Sequence, residues 1–404
     1  MSGEPQAAAA DRKALGLIFA VVVLDLVGAG ILIPILPYYA QQFRTDALTV
    51  GLLSMAFSAA QFLASPVLGG LSDRYGRRPV LLGSILGSAL GYFLFGIGHA
   101  LWILFVARVI DGATGGNIST AQSYIADVTP PGERAKNLAL IGAAFGLGFV
   151  LGPAVGGLLA KISLAAPAYG AGICGLATFA AALFFLPESL PKERRKKGGF
   201  AWSDLDPFRS LLWGIRQPGL RWTLAAVFLF NFPFSALQSN FALFTLARFG
   251  LGLSENAVLF TFLGIMVAVM QGFLLRRFLP DFGAPKHAVI GIWVMAAGFA
   301  TLAASSAMWM VYACLVMTAL ASALAGPTLT GMVSRQVSGL EQGVAMGITM
   351  SLASLTRVLG PLWAGVFFDA AGPAAPYWTG IVWLAAAAVI AGMAGRRVIA
   401  SRIG

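Results

Sequence analysis

Twelve stretches of this chain run for about twenty residues or more with almost no charge: 14–37, 48–71, 79–98, 101–126, 137–160, 165–187, 220–247, 255–275, 286–305, 307–332, 342–367 and 376–395. A helix rises 1.5 Å per residue, so about 20 apolar residues cross the hydrocarbon of a bilayer. The runs are continuously apolar, without the two-residue alternation of a barrel strand. Helices that satisfy their own backbone are therefore preferred. Only 11% of the 404 residues are charged and 58% are hydrophobic, where a soluble domain carries roughly a quarter charged residues. Such a chain cannot clothe a water-facing surface, which argues against a soluble enzyme, and its apolar content argues against disorder. The prediction is an all-α membrane protein with 12 transmembrane helices. The first stretch follows Arg12 and Lys13, as a signal peptide would, but it is too long for one and runs into Pro34 and Pro37, so it reads as a retained span.

The net charge of +11 raises nucleic acid as a partner, but the basic residues sit in short clusters between the apolar runs. With the N-terminus inside, only Arg44, Lys161 and Arg248 fall outside. Arg108 and Arg357 lie within spans, and every other one of the 27 Lys and Arg residues is cytoplasmic. That asymmetry is the positive-inside pattern; it predicts both termini in the cytoplasm and no nucleic-acid partner. Cys174 and Cys314 lie in apolar runs with no disulfide or metal spacing, so they read as small buried hydrophobes, and no metal or cofactor is expected. No Gly-x-x-x-x-Gly-Lys-Ser/Thr loop appears, which excludes an ATP-driven pump, and no span pairs a nucleophile with a base, so no enzyme is expected. The sequon at Asn117 lies within a span, out of reach of glycosylation, which fits a bacterial inner membrane.

One polar interruption, 188–219, divides the chain into 1–187 and 220–404. Its first part, "ESLPKERRKKGG", reads as a charged flexible linker. In the second, Leu205, Phe208, Leu212 and Ile215 recur at helical spacing beside Trp202 and Trp213, and predict an amphipathic helix on the cytoplasmic membrane face, with a plain loop as the alternative. Six spans lie on either side, and a repeat relates them at an offset of 208 residues. Glu133–Gly157 and Glu341–Gly365 share the glutamate, a Val-Leu-Gly-Pro run and the final glycine. Two six-helix pseudo-symmetric bundles about a midplane site are a transporter architecture.

Particular residues carry chemistry. In "GGLSDRYGRRP", from Gly69 to Pro79, Asp73 and Arg74 end a helix, Gly76 permits a turn, and Arg77 and Arg78 face the cytosol. Charges there can pair in one conformation and release in another; the plainer reading is positive-inside anchoring, which explains neither Asp73 nor Gly76. In "GFVLGPAVGG", Gly148, Gly152 and Gly156 repeat every four residues, with Pro153 and Gly157 among them. Such spacing lets helices approach closely, and the proline bends the helix; ordinary small-residue packing is the alternative.

Four ionisable residues lie inside spans: Asp25, Arg108, Asp111 and Arg357. Each costs roughly 2.5–3.5 kcal/mol at a helix centre on insertion scales, so such residues face a wet cavity or pair. Asp25 is near mid-depth of span 1 and could load and release a proton. Arg108 and Asp111, three apart, share a helix face, so Arg108 could alternate between Asp111 and either Asp25 or substrate; a static buried pair is the plainer reading. Arg357 is a possible substrate contact or a snorkelling side chain. Span 7, "FLFNFPFSALQSNFALF", interleaves Asn231, Gln238 and Asn240 with Phe228, Phe230, Phe232, Phe234, Phe241 and Phe244, and Pro233 is expected to break the helix. Apolar walls with a few polar groups suit a lipophilic ligand, although some of the phenylalanines must face lipid. Asn231 and Gln238 are the cavity candidates, with Gln61, Asn117, Gln122 and Gln271 behind them.

Together the span 2–3 motif, the span 5 motif, "LDLVGAGILIPILP" of span 1 and "RVIDGATGG" of span 4 closely resemble the major facilitator superfamily over the whole chain. The span 1 and span 5 patterns are similar to its drug:proton antiporter branch, and the ensemble to tetracycline-efflux-like proteins. The resemblance implies alternating access, a gate at Asp73 near the start of span 11, a proton-coupling role for Arg108, an antiporter role for the span 5 motif and a monomer. Well-known tetracycline exporters carry an acid in span 9 and a histidine in span 8. Here span 9 has no acid, and the only histidines, His99 and His287, stand near span ends. The expectation is a multi-pass exporter of small amphipathic drug-like compounds against protons, coupled through the N-terminal half. A symporter or uniporter of sugars or other metabolites is the alternative, and a non-transporting receptor the alternative of another class.

Overall fold

A computed structural model of the chain describes residues 4–130, 133–196, 212, 214–217, 219–271, 285–337 and 342–403. Among them the regular structure is helical: α1 (Glu4–Leu32), α2 (Leu36–Gln41), α3 (Ala47–Tyr75), α4 (Arg77–Gly96), α5 (Leu101–Thr114), α6 (Asn117–Asp127), α7 (Arg134–Ala160), α8 (Ala166–Phe185), α9 (Leu220–Phe249), α10 (Leu253–Val269), α11 (Pro285–Ala303), α12 (Met308–Ser334), α13 (Gln342–Ala371) and α14 (Ala375–Ile403). Eleven spans among the described residues are long and apolar enough to cross a membrane, and α10 is a shorter apolar helix. They coincide with the twelve runs read from the sequence. Most of the expected amphipathic helix at 202–215 lies outside the described residues.

Two spans are interrupted where the sequence reading had them continuous. The first turns at residues 33–35, around Pro34, between α1 and α2. The fourth is broken at Gly115 and Gly116 between α5 and α6. Pro233 does the opposite of what was expected: α9 runs unbroken through it. A proline in a membrane helix frees a carbonyl that neighbouring helices and local adjustment re-satisfy.

The chain divides into two compact units, Met1–Tyr39 with Ala56–Asp206, and Ala40–Met55 with Pro207–Gly404. Helix α3 is thus shared, its first turns belonging to the second unit. In the first unit the core joins Ile18 and Val22 of α1, Leu81 and Ile85 of α4, Tyr124 of α6 and Ala144 of α7. Lipid is as apolar as leucine, so close packing rather than water exclusion holds such helices together. Span 5 shows how. A Cβ on Gly30 would meet Gly148 O at 2.5 Å, and one on Gly152 would meet Gly30 Cα at 2.6 Å, so α1 and α7 touch backbone to backbone. The same pairing recurs in the second unit: a Cβ on Gly360 of α13 would strike Ser235 of α9 and meet Phe232 O at 2.9 Å, and Ser235 Oγ donates to Thr356 O at 2.7 Å.

The phenylalanines of span 7 are mostly core rather than lipid-facing. Phe230, Phe232, Phe241 and Phe244 are buried; Phe232 packs on Trp363 and Trp383, and Phe244 meets Tyr377 edge-on. Large apolar side chains that do point outward, among them Trp102, Ile162, Phe184, Trp309 and Val382, are each more than 60% exposed, as a lipid-facing surface requires. Cys314 is buried and Cys174 half-buried, both as free thiols.

The N-terminus of α3 is capped twice. Asp46 Oδ1 accepts from Thr49 N at 2.8 Å and Thr49 Oγ1 at 2.5 Å. Asp369, near the end of α13, accepts from Ala47 N at 3.1 Å and Leu48 N at 2.8 Å. Val50 N reaches Asp46 O, the first bond of the helix ladder, so the three amides before it, at residues 47–49, are all answered. The Thr49 hydrogen bonds hold the Asp46 carboxyl below the ordinary carboxylate range.

Candidate functional site

The first unit gathers the intramembrane charges. The double-glycine break after α5 ends one helix with Gly115 N on Asp111 O at 2.7 Å and starts α6 at Asn117. Gln61 of α3 pins the break by donating to Gly115 O at 2.9 Å. Asn117, 5% exposed, donates its Nδ2 to Asp25 Oδ2 at 3.0 Å. One turn before the break, Arg108 Nη1 donates to Asp111 Oδ2 at 2.7 Å, and its guanidinium lies 4.1 Å from the centre of the Phe57 ring. The Arg108–Asp111 contact follows the three-residue spacing read from the sequence. Asp25 is not on Arg108; its hydrogen-bond partner is an amide.

At the end of α3 the span 2–3 motif forms an ion network. Arg77 was expected to face the cytosol. It is instead 7% exposed, with Nη1 on Asp73 Oδ1 at 2.5 Å and on Ser72 Oγ at 2.7 Å, and Nε on Asp127 Oδ2 at 3.0 Å. Burial next to two carboxylates outweighs snorkelling, because the arginine's fork then finds fixed acceptors. Arg78 reaches Leu183 O, Arg74 stands in the last turn of α3, and Gly69 packs towards Ser119 of α6. Gly76 has φ of 107°, open to glycine at little cost, and a side chain there would strike Glu188.

That glutamate begins the segment read as a flexible linker, which is docked through Lys196. Glu188 Oε1 accepts from Arg77 N at 2.9 Å, capping α4 from 111 residues away, and Glu188 pairs with Arg195 at 3.6 Å. Lys196 N donates to Asp73 O at 3.0 Å. Asp127, Glu188 and Phe57 were missed as site residues. Asp127 closes α6 and Glu188 lies three residues past α8, and nothing in their spacing points to Arg77.

In the second unit a cavity of about 200 Å³ opens between α9, α12 and α13, lined by Val227, Asn231, Leu329, Thr330, Thr349 and Met350 among others. Of the six residues expected to line a substrate cavity, Asn231 is the one placed there. Gln238 lies half-buried two turns further along α9, Gln271 is exposed just past Val269 of α10, and Arg357, one turn beyond the cavity residue Ala353, donates to Ser354 Oγ at 3.0 Å. Asn117 and Gln61 belong instead to the acidic cluster of the first unit; Gln122 is half-buried on α6. In span 5, Gly148 and Gly152 meet α1 as described, Gly156 packs on Ile31 O, and Pro153 and Gly157 lie within the unbroken α7. His99 is exposed, its Nδ1 near Ile97 O, and His287 is buried in the first turn of α11.

Residues 18–282 match the family model described as Major Facilitator Superfamily. The chain belongs to the major facilitator superfamily. Curated relatives of this major facilitator include the class C tetracycline resistance protein of Escherichia coli, 33% identical over 94% of this chain and 95% of that protein. The class B protein of Escherichia coli is 30% identical over 90% of each. Human major facilitator superfamily domain-containing protein 10 is 29% identical over 93% of this chain and 92% of that protein. Among solved structures, that of the human organic anion transporter MFSD10 (TETRAN) superposes with a TM-score of 0.72 at 26% identity, covering 94% of this chain and 99% of the other. The nucleoside transporter NupG shares the fold, with a TM-score of 0.74 at 13% identity.

Proposed function

We propose that this major facilitator is an exporter of small amphipathic drug-like compounds, driven by proton exchange through alternating access. The observation that carries the reading is the intramembrane cluster: Asp25 held by a neutral amide, with Arg108 held apart by Asp111. A carboxyl with no cation on it can take a proton without abandoning an ion pair, and each protonation shifts the balance of two conformations only as far as its differential interaction allows. Curated relatives named for tetracycline resistance across nearly the whole chain support a drug as cargo. The cavity wall in the second unit, apolar with three small polar groups, supports an amphipathic one. The organic-anion relative together with Arg357 makes anions a second cargo class worth assaying beside tetracycline.

The network of Asp73, Arg77 and Asp127 is the proposed cytoplasmic gate, and the glycine contact of α7 on α1 keeps the unit that carries it rigid. The Lys and Arg distribution supports cytoplasmic termini in a bacterial inner membrane, and the family resemblance a monomer. The test is reconstitution in liposomes with a pH dye inside, adding tetracycline or a fluorescent organic anion under an imposed pH gradient. Counterflow of drug and protons, lost in Asp25→Asn, is the expected result. Cargo moving with no proton flux, or Asp25→Asn transporting normally, overturns the coupling. Co-directional movement makes the protein a symporter, and binding without flux makes it a receptor.

A further inference from the structure

We propose that Asn117 is the positioning residue of the proton carrier: its amide holds the Asp25 carboxyl in place in both protonation states. This rests on the reading of Asp25 as the coupling carboxyl. Asn117 does not line the described cavity; its amide is on the Asp25 carboxylate.

The chemistry of the contact is the argument. A guanidinium has donors only, so it suits a carboxylate and is mismatched to a carboxylic acid. A carboxamide carries two N–H donors and a carbonyl acceptor. With Asp25 ionised, Nδ2 donates to Oδ2, as observed at 3.0 Å. With Asp25 protonated, the acid O–H donates to Asn117 Oδ1 after a half-turn of the amide about its last torsion. The proton comes from water and returns to water; Asn117 carries none. The amide is fixed from behind. Its helix begins at the Gly115–Gly116 break, which Gln61 pins, and one turn on Ser119 Oγ donates to Ser65 O at 3.2 Å.

The other groups around Asp25 do not duplicate the task. Arg108 is engaged by Asp111 and Phe57. Asp111, Tyr92 of α4 and Cys174 of α8 lie within electrostatic range of Asp25; Cys174 directs its Sγ at Leu24 O, 3.7 Å away. From α7, glycines rather than titratable side chains meet α1 at 30–31. An Asn117 amide that leaves the carboxyl and is satisfied elsewhere in the working protein predicts a stability change on its removal and no effect on proton release.

The experiment titrates the whole protein in lipid by pH-difference infrared spectroscopy, reading the carboxyl carbonyl band that disappears in Asp25→Asn, and in parallel the pH profile of tetracycline-driven proton flux. Asn117→Leu removes the donor from the carboxylate, and both midpoints should move to higher pH by more than about half a unit, since a hydrogen bond to the charged form favours it. Asn117→Ser keeps a small polar residue in the first turn of α6, and is too short to reach. It should give the same displacement if the leucine variant does not fold. Unmoved midpoints in the serine variant, with Asp25→Asn still abolishing flux, overturn the positioning role and leave the coupling intact. Proton flux surviving in Asp25→Asn overturns the coupling reading itself, and this inference with it.

Discussion

Arg108 is held from two sides by unlike groups, the Asp111 carboxylate and the face of Phe57. Removing the anion leaves a guanidinium only 11% exposed without its counter-charge, a change that costs about 3–5 kcal/mol where a buried pair is broken from one side. Asp111→Asn should therefore lower the melting temperature in detergent sharply, and adding Arg108→Gln should restore most of the loss; a double-mutant cycle reads the coupling. In the cavity of the second unit the polar side chains have already spent hydrogens on their own helices. Asn231 Nδ2 donates to Val227 O, Thr330 Oγ1 to Gly326 O and Thr349 Oγ1 to Ala345 O. What remains is rich in acceptors, so a cargo bearing hydroxyl or amine donors fits it. Thr330→Val with Thr349→Val should weaken uptake of such a cargo roughly tenfold, the equivalent of about 1.4 kcal/mol, and leave one without donors unaffected. At this scale the Arg108–Asp111 contact was legible because both residues share one helix and its period. The Asn117–Asp25 contact, 92 residues apart, was not, because no local spacing encodes which helices become neighbours.

Among elements, α3 depends on two carboxylates at its first turn. Asp46→Ala removes a cap that typically contributes about 1 kcal/mol. Because hydrogen bonds depress the folded-state value of Asp46, its contribution is present at neutral pH and lost as pH falls from the ordinary carboxylate value through the lower, folded one. The difference in melting temperature between wild type and Asp46→Ala should thus shrink below about pH 4. On α7, Gly152→Val forces a branched side chain where a Cβ alone would stand 2.6 Å from the backbone of α1, and loss of folded protein on size-exclusion chromatography is the expected outcome. The glycine spacing announced close approach, though not that Gly30 of α1 would be the partner. The break at Gly115–Gly116 went unread because flanking apolar residues carried the span through it, and Pro233 was over-read, because in a bilayer a helix has no water to receive a broken backbone.

For the whole molecule, span number and the apolar exterior were legible, since each follows from length and hydropathy alone, and the internal repeat was read from the matched Val-Leu-Gly-Pro runs. The docked start of the linker was not: Glu188 and Arg195 read as solvent-facing charges until α4 supplied an uncapped amide at Arg77. Glu188→Gln should leave the protein folded and alter the rate of transport rather than cargo affinity, separable by measuring KM and maximal flux in liposomes.

Severing the chain between the two charge-dense and apolar halves of its central loop is an obvious way to make two polypeptides. The break would not fall along the seam the contacts draw, because residues 40–55 travel with the first piece while Asp369 travels with the second. Each piece made alone would inherit a debt: bare amides on one, a carboxylate with nothing to receive on the other. Co-expression should therefore rescue both from degradation, and Asp369→Ala should weaken that mutual protection.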